Sequence, residues 1–255
     1  MQIGNTRAIV TGGASGLGLA AARMIVQGGG QAALFDVNDE AGAAAVAELG
    51  SAASFHEVDV TSESAVAAAV RAAAGAMGGL DAAVNCAGVA WPKRMVGKEG
   101  PMPGEFFRKV IEINLVGTLL VCKEAAAVMQ ANTPNPAGER GVLVMTASVA
   151  AFEGQIGQVA YAASKAGVAG MTLPMARELA ASGIRVMTIA PGLFLTPMMA
   201  SLPLEAQQSL GRQVPFPPRL GEPAEYALLV RQIVENPMLN GETVRLDGAI
   251  RMAPR

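Results

Sequence analysis

"RAIVTGGASGLGLAAARMIVQ", residues 7–27, opens with a short apolar run and closes with an Ala-, Leu- and Met-rich run of helical character. That is the order of a β-strand followed by an α-helix. The turn between them, "TGGASGLG" (Thr11–Gly18), carries glycines at 12, 16 and 18. Glycines at a strand end let the backbone turn tightly and approach an anion, and the helix that follows offers free N–H groups and the positive end of its dipole. Gly12, Ser15, Gly16, Leu17 and Gly18 are therefore candidate pyrophosphate-cradling residues. An ordinary tight turn explains the glycines equally well, so the rest of the chain has to decide.

The same unit recurs along the chain. "AALFDV" precedes "DEAGAAAVAELG", "SFHEVDV" precedes "SESAVAAAVRAAAGAM", and "LDAAVNCAG" leads through a loop to a long amphipathic stretch around Glu105 to Met129. "GVLVMTAS", "IRVMTIAPG" and "ETVRLDG" supply further strands, and a helix is expected near Ala224 to Glu235. Near-continuous apolar strands alternating with helices predict a parallel sheet covered on both faces, an α/β doubly wound fold of the Rossmann type. The Pro-punctuated stretches 132–140 and 195–221 read as loops inside this alternation, so residues 1–255 form one expected domain.

Composition narrows the function classes. The chain carries 19 Lys and Arg against 21 Asp and Glu, a net charge of -2, which supplies no basic field for nucleic acid or an anionic membrane surface. Cys86 and Cys122 are 36 residues apart and His56 is the single histidine, so neither a disulfide framework nor a metal site is indicated. No run approaches the roughly 18 apolar residues of a membrane span, and the amino terminus lacks a signal-peptide pattern. The expectation is a soluble protein of the reducing cytoplasm.

Further strand ends agree with the glycine turn. Asp36 closes the second strand eighteen residues after Gly18. A carboxylate there accepts hydrogen bonds from ribose hydroxyls of NAD and repels the 2′-phosphate of NADP. Neither Ala14 nor Val37 offers a positive charge to neutralise such a phosphate. Asp59 and Val60 are expected to close the third strand, where the carboxylate can meet the adenine amino group. Asn85, Cys86, Ala87 and Gly88 close the fourth with small residues that let the chain pass near a cofactor. These are the carboxyl ends of strands, where open α/β sheets bind ligands.

"AYAASKAG" (160–167) places Tyr161 and Lys165 four residues apart, hence on one helix face. Alone, the pair reads equally as a half-buried tyrosine beside a solvated lysine. With "TGGASGLG", "NCAG", Ser148 and "APG" in this order, however, the chain resembles the short-chain dehydrogenase/reductase family along its full length. Residues 146–167 and 188–252 are similar to the type 2 3-hydroxyacyl-CoA dehydrogenase branch of it. The resemblance implies an NAD-dependent alcohol dehydrogenase, a homotetramer, acting on short or branched 3-hydroxyacyl-CoA thioesters.

A secondary alcohol needs a base as hydride leaves, and a free tyrosine near pKa 10 is poorly ionised at neutral pH. Tyr161 is the expected base, with Lys165 favouring the phenolate by its charge and holding a nicotinamide-ribose hydroxyl. Ser148 would bond the substrate oxygen. By resemblance, Asn114 holds a water linking Lys165 to solvent. Pro191 and Gly192 bend the chain, so that Phe194 and Thr196 approach the nicotinamide, Thr196 at its carboxamide. Gln158 would border the acyl pocket. Met198, Met199, Leu202 and Leu204 suit either a flexible lid, at about 193–220, or core packing. Lys93, Arg94 and Lys98 read as a solvated basic loop. Two other functions stay open at this level: an NADPH-dependent 3-oxoacyl-carrier-protein reductase, which Asp36 opposes, and a non-catalytic NAD-bound scaffold subunit.

Overall fold

Seven parallel strands form one sheet: β1 (Arg7–Thr11), β2 (Gln31–Asp36), β3 (Ala53–Glu57), β4 (Ala82–Asn85), then β7 (Gly141–Thr146), β8 (Ile184–Pro191) and β9 (Thr243–Leu246). Their spatial order is β3-β2-β1-β4-β7-β8-β9. The computed structural model describes residues 1–200 and 202–254, without the side chain of Met198. β5 (Val96–Gly97) and β6 (Gly100–Pro101) make a separate antiparallel pair in the loop after β4. β1 pairs with β2 on one side and β4 on the other, Val10 lying opposite both Leu34 and Val84. The chain reverses direction across the sheet at that point, which opens a crevice beyond the carboxyl ends of the strands.

Side chains alternate across a strand, and here both faces are buried. Ile9, Leu143, Met145 and Val186 enter a core completed by α3 (Glu63–Met77), α5 (Gly117–Met129) and α6 (Val159–Leu179). Their neighbours Val10, Val142, Val144 and Met187 enter the opposite core, closed by α1 (Gly16–Gln27), α2 (Asp39–Leu49) and α9 (Pro223–Glu235). This explains why the strands read as unbroken apolar runs. Helix starts carry their own signals: Asn38 accepts from the Ala41 N–H at 3.0 Å, and the Glu225 carboxylate accepts from the Glu222 N–H at 2.7 Å in a capping box.

Three details differ from the sequence reading. The stretch expected as one helix around Glu105 to Met129 is α4 (Gly104–Ile111), a π-helical turn (Glu112–Val116) and α5. The widened turn carries Asn114, which is fully buried, and its carbonyl accepts from Thr118 Oγ1 at 2.8 Å. β3 ends at Glu57, so Asp59 and Val60 lie in the loop beyond it rather than at the strand's last residues. Two short helices, α7 (Pro197–Ala200) and α8 (Leu204–Gly211), occupy the region expected as a lid. Ser201 and the Met198 side chain, part of that expectation, lie outside the described residues.

Candidate active site

The glycine turn is tight enough to forbid larger residues. Gly12 has φ +61°, and a Cβ there would sit 2.9 Å from Ala87 N, while a Cβ on Gly18 would sit 2.2 Å from Gly12 O. The first glycine thus lets the turn pack on the chain leaving β4, and the third lets α1 lie against the turn. Thr11 ties the same two segments, its Oγ1 accepting from the N–H groups of Cys86 and Ala87 at 3.1 Å each. Ser15 precedes α1 without a side-chain cap, so the first-turn N–H groups of Gly16, Leu17 and Gly18 have no capping partner from it. Asp36 braces the turn from β2. One oxygen accepts from Ala14 N–H at 3.2 Å, the other from Val37 and Asn38 N–H at 2.8 and 3.2 Å.

These elements border a cleft of about 1230 Å³, larger than the about 300–1,000 Å³ usual for one small ligand. Gly12, Ser15, Gly16, Leu17, Gly18, Asp36, Asp59 and Val60 line one end, with Cys86, Ala87 and Gly88 beside them. Ser148, Gln158, Tyr161, Lys165, Pro191, Gly192, Phe194 and Thr196 continue the lining. A glycine cradle at a helix start, a carboxylate at the end of β2 and space for a second molecule together fit a dinucleotide and a substrate.

Two expected residues do not reach the cleft. Asn85 turns inward, its amide donating to Cys122 Sγ and Val144 O at 3.3 Å each, and its buried Oδ1 has no partner among the described residues. Asn114 clasps the backbone of Val89, accepting from its N–H at 2.8 Å and donating to its C=O at 2.9 Å; it also donates to Ser164 Oγ at 3.0 Å. Its side chain thereby fixes the chain just after "NCAG". A Cβ on Gly88 would lie 3.0 Å from Asn114 Oδ1 and 3.5 Å from Lys165 Nζ, which places the three together.

Tyr161 and Lys165 stand one turn apart on α6, as the spacing predicts, but the lysine does not aim at the phenol. Its ammonium lies 5.8 Å from the centre of the Tyr161 ring and donates to Thr146 O at 2.7 Å. Lys165 is 5% exposed, and this burial brings its pKa down to about 8. Burial raises the Tyr161 phenol above its ordinary value, opposed by a hydrogen bond from Ser148. Ser148 itself caps a 3₁₀ turn, accepting from Ala150 N–H at 3.1 Å.

Several residues of the site carried no sequence signal. Tyr226 of α9 is fully buried under the cleft, its hydroxyl 2.7 Å from Thr146 Oγ1 and 3.4 Å from Cys86 Sγ. Trp91, Arg108, Lys109, Gln155 and Met252 also line the cleft, as does Met199 of the stretch read as a lid or core packing. Lys109 and Lys93 sit over the Trp91 and Phe106 rings at 5.6 and 5.5 Å. Lys93, Arg94 and Lys98 are not among the lining residues.

Residues 6–207 match the family model described as short chain dehydrogenase. The chain belongs to the short-chain dehydrogenase family. It is 54% identical over 249 residues, 97% of its length and 95% of the relative's, to human 3-hydroxyacyl-CoA dehydrogenase type-2. The enzyme of that name from Drosophila melanogaster is 53% identical over 255 residues, covering 99% of this chain and 100% of the relative. A crystal structure of 3-hydroxyacyl-CoA dehydrogenase type-2 from Mycobacterium avium superposes with a TM-score of 0.92 at 44% identity, covering 100% of this chain and 98% of that one. This short-chain dehydrogenase is an oxidoreductase that works with a nicotinamide cofactor.

Proposed function

We propose that the protein is an NAD-dependent dehydrogenase interconverting short or branched 3-hydroxyacyl-CoA and 3-oxoacyl-CoA. The observation that carries the reading is Ser148, Tyr161 and Lys165 lining one cleft with Asp36, in a chain more than half identical to relatives named for that activity. When bound, the nicotinamide supplies the hydride acceptor and, in its oxidised form, a positive charge beside the phenol. Gly12, Ser15 and the first turn of α1 hold the pyrophosphate, and Asp36 holds the adenosine ribose and excludes a 2′-phosphate. Asp59, Val60 and the Cys86–Gly88 segment would border the adenine and nicotinamide-ribose halves, and Thr196 would meet the carboxamide.

Tyr161 takes the proton from the substrate 3-hydroxyl in oxidation and returns it in reduction, while Ser148 donates a hydrogen bond to the same oxygen. Lys165 is fixed by Thr146 O through one N–H group, which leaves its others for a nicotinamide-ribose hydroxyl. Its positive charge lowers the cost of the phenolate. The Asn114 side chain is taken up by Val89 and Ser164, so a water linking Lys165 to solvent would be held by its main-chain carbonyl at the π-helical turn. Asn85 supports the strand end from inside the core. Leu193–Leu220 act as a lid whose two ends are pinned together, since Leu195 N–H donates to Gly221 O and Gly221 N–H to Leu193 O, each at 2.8 Å.

The enzyme works as a homotetramer in a reducing, cytoplasmic compartment. Exposed Leu119, Leu173, Leu228 and Met238 give it apolar surface to bury in subunit contacts, and Cys86 and Cys122 stay free thiols. Reduction of acetoacetyl-CoA and its 2-methyl derivative with NADH tests the reading. Both are expected to exceed free acetoacetate by well over tenfold in kcat/KM, because remote CoA binding orients the reacting carbonyl. Equal efficiency for the free acid would make this a small-alcohol dehydrogenase.

A further inference from the structure

After β9 the chain doubles back onto the cleft, beside the loop that leads into the Tyr161 helix. The reversal at Asp247–Ile250 is tight: Ile250 N–H donates to Asp247 O at 3.1 Å, and both central residues, Gly248 and Ala249, have positive φ, +58° and +67°. A positive φ is unfavourable for alanine, so this local strain is held by surrounding contacts. Ile250 is buried, and Met252 two residues on lines the cleft.

Three hydrogen bonds fasten this returning segment to the loop ahead of the Tyr161 helix, and Arg245 of β9 grips the same loop. The Glu153 carboxylate takes a forked pair from Arg245 at 2.8 and 3.0 Å and accepts from Met252 N–H at 3.3 Å. Gln155 Nε2 donates to Ala253 O at 2.9 Å, and Ile156 N–H to Pro254 O at 3.1 Å. Arg245 is itself locked by Asp247 at 2.7 Å and by Ile250 O at 2.9 Å. Gln155 N–H in turn donates to Gln158 Oε1 at 2.9 Å, one residue before α6 begins. Met252 is thus tied through Glu153, Gln155 and Gln158 to the helix that carries Tyr161. A planar guanidinium gripping both oxygens of a carboxylate gives this join a defined geometry.

We infer that Met252 is a specificity-determining residue, a wall that limits the acyl group, and that the Glu153–Arg245 pair holds this wall in place. The inference rests on the acyl-thioester reading above and adds to it which part of the chain measures the acyl group. An unbranched thioether fills an irregular apolar space while tolerating short branches. Changing the size of one apolar wall by a methylene or two shifts discrimination by about 10–200-fold.

The test is the ratio of kcat/KM for four-carbon to eight-carbon 3-oxoacyl-CoA with NADH in the full-length enzyme. Met252→Ala is expected to lower that ratio at least fivefold, by admitting the longer chain, and Met252→Phe to raise it by a similar factor. Arg245→Met is expected to move the ratio in the same direction as Met252→Ala, and to raise amide hydrogen exchange in residues 250–254 and 153–156 together. If both Met252 variants leave the ratio within twofold, or move it the same way, Met252 is not the wall. If Arg245→Met speeds exchange without moving the ratio, the clasp has no part in selection. The same chain-length series is run as methyl esters of the 3-oxo acids. Were the thioester reading to fail, the esters would still report the wall, so the two failures are separable.

Discussion

Replacing Lys165 by methionine should make the cofactor-free protein less sensitive to pH, and the size of the effect follows from burial. The ammonium is 5% exposed and its pKa falls to about 8, against an ordinary 10.5. The unfolded chain keeps this proton up to about 10.5, whereas the folded chain releases it near 8. Between those values the unfolded state binds more protons, so stability rises with pH. Below pH 8 the folded protein bears the full cost of the buried charge, about 3 kcal/mol at 1.36 kcal/mol per pKa unit. Lys165→Met removes that titration. It also removes the bond to Thr146 O, worth about 1.5–3 kcal/mol for a charged donor, but that loss shifts the variant by a nearly constant amount. Urea unfolding of both proteins at fixed protomer concentration from pH 7 to 10.5 isolates the titration, because all other groups are common. Wild type is expected to gain about 3 kcal/mol relative to the variant across that range. A difference constant within about 1 kcal/mol would refute the assignment of Lys165 as a buried charge that folding holds at a cost.

Tyr161→Phe keeps the ring and removes the transferable proton, so turnover should fall by about 10²–10⁴-fold with NADH affinity nearly unchanged; more than about a tenth of wild-type kcat would exclude Tyr161 as the base. Asp36→Ala should raise the NAD dissociation constant and relax discrimination against NADP, by about 1.5–3 kcal/mol for a charge-assisted pair, and an unchanged NAD/NADP ratio of kcat/KM would remove the ground for NAD. Gly18→Ala forces a Cβ to within 2.2 Å of a backbone oxygen, so about 1–3 kcal/mol of stability and much of the cofactor affinity should be lost together. A variant with wild-type melting temperature and NADH titration would mean that the turn relaxes freely.

The sheet was legible because its signal is repeated and local. β1, β2, β4, β7 and β8 read as unbroken apolar runs, since their alternate residues enter two different cores. The glycine turn was equally legible: Gly12 and Gly18 stand where a Cβ would meet backbone, and the Asp36 carboxylate stands beside the turn, accepting from Ala14 N–H. What the sequence did not carry is any group that works through a main-chain atom. Nothing about Thr146 predicts that its carbonyl, rather than the Tyr161 phenol, takes the Lys165 ammonium. Nor does Asn114 reveal by type that it grips the Val89 backbone, because that depends on a π-helical turn whose extra residue the apolar pattern absorbs.

The Lys165 contact bears on how the site is poised. A buried phenol is pushed up and a buried ammonium is pushed down, so the ionisations that oxidation needs are each opposed by burial alone. The fold compensates each in part. Thr146 O accepts from the lysine, and Tyr226 from α9 holds the Thr146 hydroxyl from beneath, while the phenol has Ser148. The oxidised cofactor, when bound, would supply further positive charge that favours a phenolate. If Tyr161 is the base, as proposed, it would be weak in the empty cleft and stronger with the oxidised cofactor bound, coupling proton removal to the presence of the hydride acceptor. It follows that the apparent pKa governing oxidation should be lower in the NAD complex than the phenol pKa of the cofactor-free enzyme. Ultraviolet titration of the protein, which carries Tyr161 and Tyr226 as its two tyrosines, can compare the two states. Tyr161→Phe assigns the moving absorbance. If NAD leaves the phenol titration where it was, the electrostatic part of this argument fails even if Tyr161 remains essential.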